Sequence, residues 1–377
     1  MKISKLKELL RNVPKDLSIL LLGAPGIGKT EVVKDFAIEE AESEDRIFTN
    51  FHEVKDFDEI LQKPEKYYIY LDLDLTKINP DELLGIPSRI GNEYFIYVIP
   101  LWAKILSLTG ISGLLFLDEI TNVQRDDIIA AAYRIILDRV VGFTKLSNNV
   151  RVICAGNAPE HSSIARMLPA PLTNRLLVVK VDAPSIEDWY IYMNTKYGDK
   201  WCTLTYAYLT LFPEDLLKPS REIETLENYP TPRSWTKLAL TIASMNLANY
   251  YIIEELARGL LGDEVGTRFS AFMRKKVPDI EEFLQNPALF KNLDNESKAV
   301  MCWIFANWIM RNFEALESHS DVKSKVISAL SAIMEISSEF VVLIVKMINV
   351  KDLRLRFVKM IKPIISKILN EISEVLV

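Results

Sequence analysis

Two hydrophobic patterns divide the chain. Over residues 17–181, short continuous apolar runs alternate with longer segments of helical periodicity. The runs fall at residues 17–22, 67–75, 114–117, 150–155 and 176–181. Runs of this length, apolar at consecutive positions, predict strands buried on both faces, as in a parallel sheet. Between them, residues 30–44 and 121–139 predict helices, the second with Ile128, Ile129, Ala132, Ile135 and Ile136 on one face. Residues 185–197 predict another helix, opened by Asp182-Ala183-Pro184-Ser185. Strand and helix in alternation give an α/β domain over 1–198. From 199 to 377 the pattern is helical throughout, punctuated by Pro213, Pro219, Pro230, Pro232, Pro278 and Pro287.

Three segments interrupt the alternation. Residues 42–66 are acidic and predict a surface excursion with a short helix at 57–62. Residues 86–101 carry Tyr94, Phe95 and Tyr97 and predict an excursion with exposed aromatics; an aromatic strand packed on the core is the alternative. Residues 140–149 contain Gly142 and the pair Asn148-Asn149, which predicts a hairpin.

The first strand runs into Gly23-Ala24-Pro25-Gly26-Ile27-Gly28-Lys29-Thr30, a Gly, four free positions, then Gly-Lys-Thr. Strand, glycine turn and helix N-terminus aim backbone N–H groups at one point, where the helix dipole adds positive charge. Such a site suits a polyphosphate. Lys29 is placed to reach the β- and γ-phosphates, and the Thr30 hydroxyl to hold magnesium. The run 114–117 ends in Asp118-Glu119. A buried parallel strand delivers carboxylates at its C-terminal end to the ligand crevice. Asp118 is the candidate magnesium ligand, and Glu119 the candidate base for the water attacking the γ-phosphate. Asn157 follows the next strand, where an amide can bond that water or the γ-phosphate; a turn Asn near Pro159 is the alternative. Asp72 and Asp74, at the end of the 67–75 run, are more simply carboxylates facing solvent.

Composition narrows the partners. The chain has 377 residues, enough for two domains, with a net charge of −6 and a pI near 5.4. That balance argues against a broad basic surface for nucleic acid. Cys154, Cys202 and Cys302 are widely spaced, without a CxxC pair, and His52, His161 and His319 are isolated. Neither a disulfide framework nor a zinc cluster is expected, and a cytoplasmic, reducing location fits. No run is long enough to span a bilayer, and residues 1–13 predict an amphipathic helix too polar for a signal peptide.

The order of phosphate loop, Asp-Glu strand, Asn-ended strand and Asn-Arg-Leu strand resembles the AAA+ ATPases, and within them the MoxR-type branch. The matching stretches are residues 23–30, 81–87, 113–121, 155–157 and 168–176. The resemblance covers residues 17–183 well and the C-terminal half poorly. It implies a five-stranded parallel sheet in an αβα sandwich, then a helical lid, with ATP and magnesium bound between subunits of a ring, usually a hexamer. By the same resemblance Asn157 is a sensor of the γ-phosphate. Arg175 matches the arginine finger that completes a neighbour's site, and Arg233, in Thr231-Pro232-Arg233-Ser234-Trp235, resembles a second sensor at the start of a lid helix. Residues 86–101 and 140–149 fall where this branch carries insertions that face the central pore and touch the client.

The chain departs from the pattern at Leu176, where Phe is common, in the long 45–66 excursion, and in the unmatched apolar-periodic helices of 322–377. Core packing is the default for those helices. The expected activity is ATP-driven remodelling of a protein client, with a von Willebrand factor A-domain partner as the branch often has. A DNA-acting motor or loader is the alternative, weakened by the absence of any Lys/Arg-rich stretch.

Overall fold

The structure, a computed structural model, describes residues 1–91, 93–158, 166, 168, 173–218, 228–245 and 249–365. Residues 169–172 of the motif ahead of Arg175, Pro159, Pro219, and the end of the C-terminal helical stretch, 366–377, lie outside them. The chain divides into two compact units, Met1–Pro184 and Ser185–Val377.

The first unit is built on a parallel sheet. Its strands are β1 (Ile19–Leu22), β2 (Ile47–Asn50), β3 (Tyr67–Asp74), β6 (Ser112–Asp118), β9 (Val150–Gly156) and β10 (Leu177–Lys180), in the order β10-β1-β9-β6-β3-β2. Two hairpins supply the rest, β4 (Ile86–Ile90) with β5 (Tyr94–Val98), and β7 (Val140–Val141) with β8 (Thr144–Lys145). The chain leaves β1 for the edge strand β2, works back inward through β3, β6 and β9 to lie beside β1, and crosses to the opposite edge with β10, every pair parallel. The sheet has one strand more than the five expected. β2 pairs in parallel with β3, Ile47 opposite Tyr67 and Asn50 opposite Tyr70. Only four residues long and half-exposed, it carries too weak a pattern to stand out from the acidic excursion around it.

Alternation along the strands sends side chains to two layers. Tyr68 on β3 donates to Glu40 of helix Lys29–Ser43, so the even positions of β3 face that helix. The odd positions Ile69 and Leu71 join Leu115, Leu117, Val152 and Cys154 in a buried cluster with Ile128, Ala132 and Ile135 of helix Asp126–Asp138. That helix begins later than the 121–139 pattern suggested, because residues 120–122 form a separate 3-10 turn. Cys154 is fully enclosed, and burial pushes its thiol well above the ordinary range, so it is an inert core residue.

The second unit is helical. Helix Ile186–Tyr197, assigned by pattern to the first domain, belongs here: Trp189, Tyr190 and Met193 share a buried cluster with Trp235, Phe269 and Phe305. Val326, Ile333, Ile344, Phe357 and Ile361 of the C-terminal helices lie in the same cluster. Their apolar faces are therefore core. At its centre the fully buried Asp215 carboxylate accepts from Tyr208 Oη at 2.5 Å, Lys218 Nζ at 2.8 Å and Arg268 Nη1 at 3.0 Å. Asp215→Ala would leave the buried Tyr208 phenol without its acceptor, while Lys218 and Arg268, each about a third exposed, keep Glu264 at 3.3 and 2.7 Å. We expect a loss of about 1–3 kcal/mol in unfolding free energy, read by denaturant titration. A change within 1 kcal/mol, roughly what an exposed ion pair contributes, would show that the cluster is not what holds these helices.

Among the described residues, no helix is long and apolar enough to cross a membrane.

Candidate active site

The strand order places β9 between β1 and β6, so the C-terminal ends of all three meet. From β1 the chain enters the loop of residues 23–28. Gly28 caps the following helix with φ 98°, a left-handed conformation that glycine adopts without steric cost. Gly23 has another reason: a Cβ there would stand 2.5 Å from the Val181 carbonyl oxygen. Its N–H donates to Gly156 O at 3.3 Å, tying the loop to the end of β9.

Lys29 is buried, its ammonium folded back on the loop at 2.9 Å from Gly23 O and 3.0 Å from Ala24 O. It also reaches Asn157 Oδ1 at 3.4 Å. These carbonyls occupy the donors that a phosphate would take. Next along the helix, Thr30 Oγ1 donates to Asp118 Oδ2 at 2.8 Å. Asp118 closes β6, opposite Asp74 of β3.

Glu119 stands one residue beyond the strand, at φ 59° and ψ 28°. A side chain held in this left-handed region costs on the order of 1–3 kcal/mol, and such strain clusters at functional sites. Its N–H donates to Asp118 Oδ1 at 2.9 Å. Its Oε2 accepts from Asn157 Nδ2 at 3.2 Å and from Asn122 Nδ2 at 2.6 Å. Asn157 is itself buried and fixed by its backbone N–H, which donates to Thr121 Oγ1 at 2.8 Å. Gly156 makes room for that bond, because a Cβ would sit 2.6–2.7 Å from Thr121.

Lys29, Thr30, Asp118, Glu119 and Asn157 thus form one hydrogen-bonded group. The neighbouring acids behave differently. Asp72 lies 3.5 Å from His52 Nε2, and Asp74 bonds Lys77 Nζ at 2.6 Å and Thr76 Oγ1 at 2.6 Å. Burial pushes the Asp74 carboxyl up, but the bonds from Lys77 and Thr76 outweigh it and hold it below its usual value. Burial, then the charges of Asp72 and Asp118, push the Tyr70 hydroxyl far up, so it stays protonated.

Arg175 is exposed in the turn before β10, and among the described residues nothing holds its guanidinium. Arg233 is also exposed, the second residue of helix Pro232–Ala243 in the other unit. Neither belongs to the hydrogen-bonded group. Pattern reasoning missed Asn122 and the anchoring by Thr121. The only trace in the sequence is an amide and a hydroxyl just after Asp-Glu, a common arrangement at strand ends.

The β4–β5 hairpin projects outward. Tyr94 is 63% exposed and Phe95 53%, which decides against the packed-strand alternative for these two. Tyr97 is half-buried between Phe95 and the 71%-exposed Phe143 of the β7–β8 turn, with ring centroids 5.8 and 5.4 Å away.

No protein-family model and no curated protein matches the chain. Solved structures that do match include PCH-2 of C. elegans, 14% identical over 72% of this chain and 66% of that one, with a TM-score of 0.29. NtrX of Brucella abortus in complex with ATP is 15% identical over 86% and 67%, with a TM-score of 0.34. Trip13 of Rhizobiales is 15% identical over 73% and 78%, with a TM-score of 0.31. The chain spans about two thirds of the length of the first two. Superpositions this loose carry no function across; the side chains of the site have to do so.

Proposed function

We propose that the chain is an ATPase of the AAA+ type that hydrolyses magnesium-ATP to remodel a protein client. The observation that carries this reading is the single hydrogen-bonded group running from Lys29 through Asn157 to Glu119, beside the Thr30–Asp118 pair. A phosphate entering the loop would take the Lys29 ammonium from the carbonyls of Gly23 and Ala24, together with the backbone N–H groups at the helix start. Thr30 Oγ1 and Asp118 Oδ2 are hard oxygen donors that fit magnesium, which when bound neutralises the β- and γ-phosphate oxygens. Asn157 would orient the attacking water, and Glu119 would take its proton as oxygen adds to the γ-phosphorus. The bond from that phosphorus to the β–γ bridging oxygen then breaks, and ADP leaves.

The finer reading is of MoxR type: a ring, usually a hexamer, in which Arg175 completes a neighbour's site and Arg233 senses nucleotide from the lid. The free exposure of Arg175 supports the first of these roles. The outward hairpin supports a protein client: Tyr94, Phe95, Ile96 and Val98 form an apolar ridge with Arg89 as the basic residue on its paired strand. Phosphate recognition along DNA would call for clustered positive charge there. A von Willebrand factor A-domain partner belongs to the same reading.

The test is ATP turnover per subunit across a wide range of protein concentration, at saturating magnesium-ATP. We expect a rate that climbs steeply and then levels off as neighbours complete the sites. A chain that binds ATP and never turns it over, at any concentration, would replace this reading with a nucleotide-gated scaffold.

A further inference from the structure

Glu119 has a second amide on its carboxylate besides Asn157, and the two differ in kind. Asn157 faces the nucleotide loop, and its Oδ1 takes the Lys29 ammonium at 3.4 Å, a contact that a bound phosphate would compete for. Asn122 belongs to the turn that Glu119 itself opens. Its N–H donates to Glu119 O at 2.9 Å and its Nδ2 to Glu119 Oε2 at 2.6 Å, closing backbone and side chain onto the same residue. Asn122 Oδ1 is buried without a partner among the described residues, so the donation to Glu119 is the bond that orients the amide. Reversing the amide would set an oxygen against a carboxylate. The neighbours of Asn122 anchor the turn: Ile120 and Thr121 are buried, and Thr121 Oγ1 accepts the Asn157 N–H.

We propose that Asn122 is a positioning residue for Glu119. It holds the carboxylate aimed while Lys29 and Asn157 move to the phosphate. This inference rests on the ATPase reading above. It assigns no contact between Asn122 and nucleotide, and it places the left-handed backbone of Glu119 and the Asn122 amide in one device.

Two variants test the assignment on the full chain, at a protein concentration where turnover per subunit has levelled off. Asn122→Ala removes the donor and is expected to lower kcat roughly 10-fold, part of the ~10²–10⁴ that a positioned base contributes, with KM and nucleotide affinity unchanged. Asn122→Asp keeps the shape and replaces the donor by a charge. It is expected to lower kcat further, again with KM and nucleotide affinity unchanged. Wild-type kcat in Asn122→Asp would overturn the proposal, as would parallel losses of nucleotide affinity and melting temperature in both variants. If the unmodified chain binds ATP without hydrolysing it, the ATPase reading fails and this inference with it. If it hydrolyses ATP and both variants match it, only this inference fails.

Discussion

Glu119→Gln is expected to bind ATP as tightly as the unmodified chain and to turn it over about 10²–10⁴-fold more slowly. The substitution preserves length and shape, and the Gln carbonyl oxygen can still accept from Asn122 and Asn157 as Glu119 Oε2 does. What it cannot do is take a proton from water at neutral pH. Binding should survive because the groups proposed to meet phosphate, Lys29 and the N–H groups around Gly28, lie on a different element. Lys29→Ala makes the contrast, since it removes the buried ammonium and should abolish binding at concentrations that saturate the unmodified chain. Nucleotide affinity by titration and single-turnover rates separate the two variants. Hydrolysis at the unmodified rate in Glu119→Gln would show that the proton goes elsewhere.

Arg175→Ala is expected to retain ATP affinity and to lose turnover by as much as an arginine finger supplies, about 10³–10⁵-fold where measured in GTPases. The prediction follows from an exposed guanidinium that no described residue holds, in a subunit whose other site groups are already bonded together. Mixing is the decisive experiment. An Arg175→Ala subunit keeps Glu119, and a Glu119→Gln subunit keeps Arg175, so a mixed ring contains sites with both. Activity that appears only on mixing, with assembly verified by sizing, places the two residues across an interface. Full activity of Arg175→Ala alone would remove the finger assignment.

Much of the site is written locally, which is why it was legible. The loop 23–30 depends on glycines whose φ or close approach is needed within a few residues, and on Lys29 and Thr30 at the start of the next helix. A buried parallel strand must be apolar and must end where Asp118 stands, so the carboxylate shows in the pattern. The outward hairpin was half legible: exposed aromatics were expected, and the pairing of Ile86–Ile90 with Tyr94–Val98 was not. Arg175 is exposed with no described residue holding it, so the finger role proposed for it belongs to the proposed ring.

By itself, the sequence determined the alternation of strand and helix, the glycine loop of residues 23–28, the Asp-Glu strand end and the helical character of the C-terminal half. Each depends on side-chain period or on conformations within one turn. Tertiary structure alone decided three further things. The strand Ile47–Asn50 exists by pairing with β3, a bond between distant segments that its own four residues do not announce. Helix Ile186–Tyr197 joined the second unit because Trp189, Tyr190 and Met193 found their buried partners there. The meeting of Asn122 with Glu119 goes with a left-handed glutamate, a conformation disfavoured in isolation, in a turn whose Ile120 and Thr121 are buried and whose Thr121 Oγ1 takes the Asn157 N–H at the end of β9.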